Sequence, residues 1–469
     1  MSERFLDRRW PWLLAVGVVL LAFLSTFVEL RAPGDWDRRR AGTPDDITLL
    51  SEPDAPNLLF IVIDTLRAER LSGYGYGRET SPTLDRLAET GIRFDRHLAQ
   101  SSWTKASMAS LWTGLLPART GITRFDHVLP PAARMPAEVL REAGYQTIGL
   151  YRNGWVAPTF GFDQGFEVYK RPLRAPLPPG VVRQNPTISE AGTDEGTVAA
   201  AIEFVRLSGR DRKWFLYLHL MDVHEYLFDE ASARFGSAYS DIYDNSILWE
   251  DGIVETLLAS FAELGALENT LVVVTSDHGE AFGERGFEGH ARKVYRETSE
   301  IPFIISLPFR LEPGLVIRSR TSNVDVWPTL FDLLGIEAGE MDGRSRLPEI
   351  LATARAGSAP DDDAPAIAHL DQHWARPELD PRPTLAVSEG PLRYVRVEQA
   401  GGRVEQLFDA TVDPFELRDR SREEPEAVSR LSAVADEYLD LEPAWGDVPT
   451  RDIGELELNH LRALGYALP

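Results

Sequence analysis

Two continuous apolar runs, each ending in acid, constrain this chain more than any other feature. Residues 57–63 (NLLFIVI) lead straight into Asp64, and residues 271–275 (LVVVT) lead into Ser276, Asp277, His278, Gly279 and Glu280. Runs this apolar, rich in Val, Ile and Leu, predict central strands of a parallel sheet covered on both faces. Ligands of such sheets bind in the crevice beyond the carboxyl ends of the strands. Asp64, Asp277 and His278 are expected there, and carboxylate and imidazole groups suit a divalent cation. A third element, Ser101-Ser102-Trp103-Thr104-Lys105-Ala106-Ser107, opens the apolar stretch 108–116. It sets the Thr104 hydroxyl beside a helix start, where free backbone N–H groups favour an anion. Each piece alone has an ordinary reading, the aspartate as a turn residue and the threonine as an N-cap. Their conjunction describes an esterase for phosphate or sulfate.

Around these elements strands and helices alternate. Helices are expected at 83–90, 135–143, 196–207 and 243–264, and strands at 147–150, 214–218 and 302–306. Alternation of this kind makes an α/β fold, a mostly parallel sheet with helices on both faces. Beyond a helix expected at 328–334 the composition changes. Residues 354–366 (ARAGSAPDDDAPA) read as a loop or linker. The segments 393–397 and 404–408 flank Gly401-Gly402, a hairpin signal.

The N-terminus carries a separate message. Residues 10–28 (WPWLLAVGVVLLAFLSTFV) hold no charge over 19 positions. At about 1.5 Å per residue such a helix approaches the ~30 Å hydrocarbon core of a bilayer. No small-x-small exit follows, so an uncleaved single-pass anchor is expected, with the catalytic domain extracytoplasmic. The chain then divides into an anchor (1–30), a polar tether (31–55), a catalytic domain (56–345) and a C-terminal subdomain (346–469). A formal charge of −24 argues against nucleic acid as a partner. With that charge an anionic substrate must be drawn in locally, by a metal. The absence of cysteine excludes disulfides.

The residues resemble a known family, the sulfatases of the alkaline phosphatase superfamily. The resemblance rests on 57–71 (NLLFIVIDTLRAERL) with 73–76 (GYGY), 81–88 (SPTLDRLA), 101–114 (SSWTKASMASLWTG) and 161–166 (GFDQGF). It continues through 275–280 (TSDHGE), Gly289-His290, 324–330 (VDVWPTL) and 461–466 (LRALGY), in the family's order. It implies an alkaline-phosphatase-like sheet and a small C-terminal α+β subdomain. It also implies one divalent ion (Mn, Mg, Ca or Zn) held by Asp64, Asp277 and His278, with the Thr104 hydroxyl as a further ligand. His224 and His290 are candidates for protonating the leaving group, and Lys105 and Lys293 for touching the anion. His219 reads as structural. A second ion would need Asp222 with His224 and His290, an arrangement with more assumptions.

Departures from the family bear on the chemistry. Typical sulfatases carry a cysteine or serine where Thr104 stands, within a C/S-x-P-x-R motif, and convert it to formylglycine. Here Ala106 replaces the proline and Met108 the arginine. The methyl on the threonine β-carbon bars the same oxidation, so no formylglycine is expected. Residues 151–155 (YRNGW) replace the family's glycine-lysine-tryptophan-histidine element. The resemblance therefore implies the threonine branch, a hydrolase or transferase of phosphate-type esters (phosphodiester or phosphonate) acting on an anionic substrate, lipid- or glycan-linked forms included. A sulfuric ester hydrolase is the alternative. A degenerate, membrane-anchored binding protein is a further one, against which the joint presence of Asp64, Thr104, Asp277 and His278 counts.

Overall fold

The computed structural model describes residues 36–463 except 52–54, 173–178, 185–192, 210–211, 338, 360–363 and 400, together with 13, 14 and 16. The chain forms two compact units, 1–38 and 39–469. In the first, residues 13, 14 and 16 are helical, and the expected anchor at 10–28 otherwise lies outside the described residues. No helix among the described residues is long and apolar enough to cross a membrane.

In the second unit the strands are β1 (Asn57–Ile63), β2 (Ile92–Leu98), β3 (Gln146–Tyr151), β4 (Val168–Lys170), β5 (Trp214–Leu220), β6 (Thr270–Thr275), β7 (Ala281–Phe282) and β8 (Glu288–Gly289). They continue with β9 (Glu300–Ser306), β10 (Leu315–Ser322), β11 (Ala366–Asp371), β12 (Pro383–Glu389), β13 (Leu392–Gln399) and β14 (Gly402–Asp409). Among the described residues, eight form one sheet in the order β10-β2-β9-β6-β1-β5-β3-β4. β1 lies at its centre, parallel to both β5 and β6. It is buried along its whole length, as a strand covered on both faces must be. The sheet is parallel except at β9, which runs antiparallel to β2 and β6. This reversal was not legible in the apolar sequence of β9, because periodicity carries no strand direction. β11 to β14 form a four-stranded antiparallel sheet, the expected small C-terminal element. Its last hairpin pairs Gln399 with Gly402, around the Gly401-Gly402 signal.

Four helices carry residues discussed below: α1 (Thr104–Thr113), α2 (Asp194–Ser208), α3 (Tyr239–Glu263) and α4 (Val326–Leu333). α1 is buried on every side, which suits its small, hydroxyl and apolar side chains, with Lys105 its one charged residue. Trp112 of α1 lies over β1 and β5, 4.8 Å edge-on from Tyr217 and 5.5 Å stacked on Trp327 of α4. Phe60 of β1 stacks on the same Trp327 at 5.1 Å. This aromatic block fixes α1 on the sheet and so sets where Thr104 stands.

Two expectations change. The stretch read as a polar tether packs on the domain from residue 39 onward. Arg39 is buried and donates to Ser306 Oγ and Leu307 O, each at 2.6 Å, and Ile47 is buried in the helix Pro44–Thr48. Polar composition misled because a buried arginine with satisfied donors is as well accommodated as an apolar residue. The linker read at 354–366 is also shorter than expected, since a helix runs to Ala356 and β11 starts at Ala366.

Trp112→Ala should cost about 3–5 kcal/mol, as removal of a buried tryptophan does. Urea unfolding followed by circular dichroism checks this, and a midpoint equal to that of the parent would contradict the packing described.

Candidate active site

The register of the central strands assembles the site. β6, β1, β5 and β3 lie side by side, with Val62 level with both Thr275 and His219, and His219 level with Tyr151. Their carboxyl ends therefore deliver Asp277 and His278, Asp64, His219 and Asn153 to one place. All five are fully buried, as is Thr104 at the first position of α1. The Asp64 N–H still bonds Leu220 O at 3.0 Å, so the sheet ladder holds this aspartate in place. After it the chain turns at Thr65, a non-glycine residue with φ of 62°. The Thr65 N–H then donates to Asp277 Oδ1 at 3.2 Å. Gly279 is required beside His278, because a Cβ there would stand 2.3 Å from Glu297 O.

His278 Nε2 is 3.1 Å from Thr104 Oγ1, 3.3 Å from Asp277 Oδ2 and 4.0 Å from Asp64 Oδ1. Its Nδ1 lies 3.0 Å from Gly279 O. A carbonyl only accepts, so Nδ1 carries the proton and Nε2 presents its lone pair to the cluster, as a metal-binding imidazole does. Asp64 Oδ1 and Asp277 Oδ2 are buried and accept no hydrogen bond. Burial raises the Asp277 carboxyl above its ordinary range, and the negative charge of Asp64 adds to this. Burial also works against ionised Asp64, but His224, His219 and His278 together outweigh it and hold that carboxyl low. Two bare carboxylate oxygens and an imidazole lone pair fit a divalent ion. Asp64, His219 and Asp277 likewise offer ligand atoms within 4.8 Å of one another.

Three residues outside the sequence-derived set belong to the cluster. Asn153 Nδ2 donates to Asp64 Oδ2 at 2.6 Å and lies 3.4 Å from Thr104 Oγ1, while its Oδ1 accepts the Trp155 N–H. His219, read as structural, has Nε2 3.0 Å from Asp64 Oδ2 and Nδ1 2.7 Å from Tyr217 OH. Glu280 faces His290, with both oxygens 3.3 Å from Nδ1. The available signal was positional, since Asn153 and His219 stand where strands end and Glu280 follows Asp-His-Gly directly.

The other expected residues divide. The His290 ring centre is 4.5 Å from that of His278 and 5.1 Å from that of His224, so both candidate proton donors lie by the cluster. Burial pushes the His224 imidazole down to about 4, against the pull of Asp64. Burial opposes charge on His290 as well, but Glu280 overcomes it and raises this imidazole. Lys105 is turned away from the cluster. Its ammonium donates to Phe125 O at 2.6 Å and sits 3.7 Å from the Phe160 ring centre. As the next residue of a buried helix it diverges from Thr104 by about 100°, and with its ammonium held at Phe125 O it is not placed to touch an anion there. Lys293 lies half-buried on the His290 loop, where its carbonyl accepts the Thr298 hydroxyl. Asp222 does not join His224 and His290. It groups with Asp194 and Glu250, bonded by Arg152, by Trp249 Nε1 at 2.8 Å and by the Asp194 N–H at 3.0 Å.

Comparisons with known proteins bear on the family and the fold. The family model for sulfatases matches residues 56–336. An N-acetylgalactosamine-6-O-sulfatase of Bacteroides thetaiotaomicron is 24% identical, over 81% of this chain and 92% of its own. A solved 2-O GAG sulfatase superposes with a TM-score of 0.67 at 19% identity, covering 82% of this chain and 92% of that one. The phosphonate monoester hydrolase of Agrobacterium radiobacter superposes with a TM-score of 0.61 at 20% identity, covering 81% and 94%. The α/β fold with its large, mostly parallel sheet is thus that of these enzymes.

Full-length protein loaded with Mn2+ should retain about one ion per chain after gel filtration, whereas Asp64→Asn and Asp277→Asn should each retain almost none. Elemental analysis reads this directly, and equal retention by either variant would count against the cluster as a metal centre.

Proposed function

The chain belongs to the sulfatase family, and from that premise we propose that it hydrolyses a sulfuric ester of an organic alcohol, a sulfated sugar being the first class to try. The relatives' names favour this reading over the phosphate-type esters expected from the sequence. The observation that carries ester cleavage as such, whichever the central atom, is the seat of Thr104, whose hydroxyl lies 3.1 Å from His278 Nε2 at the start of α1.

Asp64, Asp277 and His278 would hold a divalent ion. When bound, that ion supplies Lewis-acid stabilisation of charge on the ester oxygens. The chain's own groups do the rest. The N–H groups opening α1 attract the anion, and Asn153 orients both Asp64 and the Thr104 hydroxyl. Thr104 Oγ attacks the central atom as the bond to the alcohol oxygen breaks. A proton from His290 or His224 reaches that oxygen, and water then cleaves the ester on Thr104 and restores its hydroxyl. Residues 10–28 would anchor this catalytic unit to a membrane, with the domain outside the cytoplasm, a reading supported by the apolar run alone.

A second reading, cleavage of phosphonate or phosphate diesters, is favoured by Thr104 itself. An unmodified threonine displaces an alkoxide at phosphorus without needing an aldehyde hydrate.

The Mn2+-loaded protein should cleave p-nitrophenyl sulfate faster than p-nitrophenyl phenylphosphonate. Thr104→Ala should lose a factor on the order of 10² or more. The opposite substrate preference would move the assignment to phosphorus, and inactivity on both esters would remove it.

A further inference from the structure

Glu280 is buried beside the candidate centre, yet none of the steps above uses it. Its carboxylate bridges two partners. Both oxygens approach His290 Nδ1 at 3.3 Å, and Oε2 accepts the Tyr226 hydroxyl at 3.0 Å. The Tyr226 hydroxyl in turn lies 2.7 Å from that of Tyr239, which reaches the surface. The backbone holds this chain of groups firmly. Tyr226 has φ of 55°, an uncommon conformation for a bulky residue, which persists only where its surroundings impose it. Ala291, next to His290, has φ of 55° as well. Its N–H donates to Ser102 O at 2.7 Å and its carbonyl accepts Trp374 Nε1 at 3.1 Å. Glu280 O accepts from Arg67 at 2.8 Å. The main chain at Glu280 and that next to His290 are therefore each held by contacts within the protein.

We propose that Glu280 is a positioning residue, which with Tyr226 orients the His290 imidazole for proton delivery to the leaving-group oxygen. The inference rests on the ester-hydrolase reading above. An ionised carboxylate only accepts, so it engages His290 Nδ1–H and fixes the tautomer and tilt of the ring, with Nε2 directed away from Glu280. When the ester bond breaks, its electron pair passes to the alcohol oxygen, and the proton from Nε2 neutralises that oxygen. The proton of the Thr104 hydroxyl leaves to solvent as its oxygen attacks, and in the hydrolysis that follows the attacking water returns one proton to the Thr104 oxygen and the other to His290 Nε2, which restores the site.

The test compares two leaving groups in the full-length, Mn2+-loaded protein. A p-nitrophenolate leaves with little protonation, whereas an alkoxide needs it. Glu280→Gln should lower kcat for an alkyl ester by about 10²-fold, within the range of general acid catalysis, and for the p-nitrophenyl ester by less than about 10-fold. KM should stay unchanged for both. Tyr226→Phe should shift the same ratio in the same direction, and it decides the matter should Glu280→Gln fail to fold by circular dichroism. Equal loss on both esters, or loss on neither, overturns the proposal. If the parent protein cleaves no ester, the hydrolase reading fails separately. The positioning role is then read from imidazole 15N–1H spectra, where a hydrogen-bonded His290 Nδ1–H signal should be lost in Glu280→Ala, which keeps no acceptor at that position, and its persistence overturns the role.

Discussion

The proximity of two buried carboxylates, Asp64 and Asp277, governs the rest of this structure. The parallel pairing of β1 with β6 brings them together, and neither finds hydrogen bonds for all of its oxygens. Like charges at such range in a dry interior are costly unless a cation or proton stands between them. A divalent ion held between them would relieve that cost. The surrounding imidazoles and the amide of Asn153 then act on those carboxylates, orienting ligands rather than adding bulk.

Backbone strain follows the same map. Among the described residues, four non-glycine positions have positive φ: Thr65, Tyr226, Ala291 and Glu416. The first follows Asp64, the second lies two residues beyond His224, and the third follows His290. Strain of this kind is retained where the structure over-determines it, and here the β1 ladder, the Tyr226–Glu280 bond and the Ser102–Ala291–Trp374 clamp do so. The aromatic block of Phe60, Trp112, Tyr217 and Trp327 supplies the rigid base on which α1 presents Thr104.

The lysines show the limit of reading adjacency along a chain. Lys105 follows Thr104 directly, yet successive helix positions diverge by about 100°, so its side chain enters an aromatic pocket instead of the site. His219 shows the converse. It lies inside a strand and looks like core, but strand register sets it level with Val62 and against Asp64.

By itself the sequence determined the α/β class, the central strands, the helix start at Thr104 and the acid-bearing strand ends, because these follow from local periodicity and from where apolar runs stop. The tertiary structure alone decided the reversal of β9, the packing of residues 39–51 on the domain, and the partners of each ionisable group. Asn153, His219 and Glu280 reach the centre through strand register and loop closure, and Asp222 leaves it for Asp194 and Arg152 by the same means, whereas the turn of its own helix takes Lys105 away. Such pairings join residues far apart along the chain, and no local pattern encodes a contact that only the folded sheet creates.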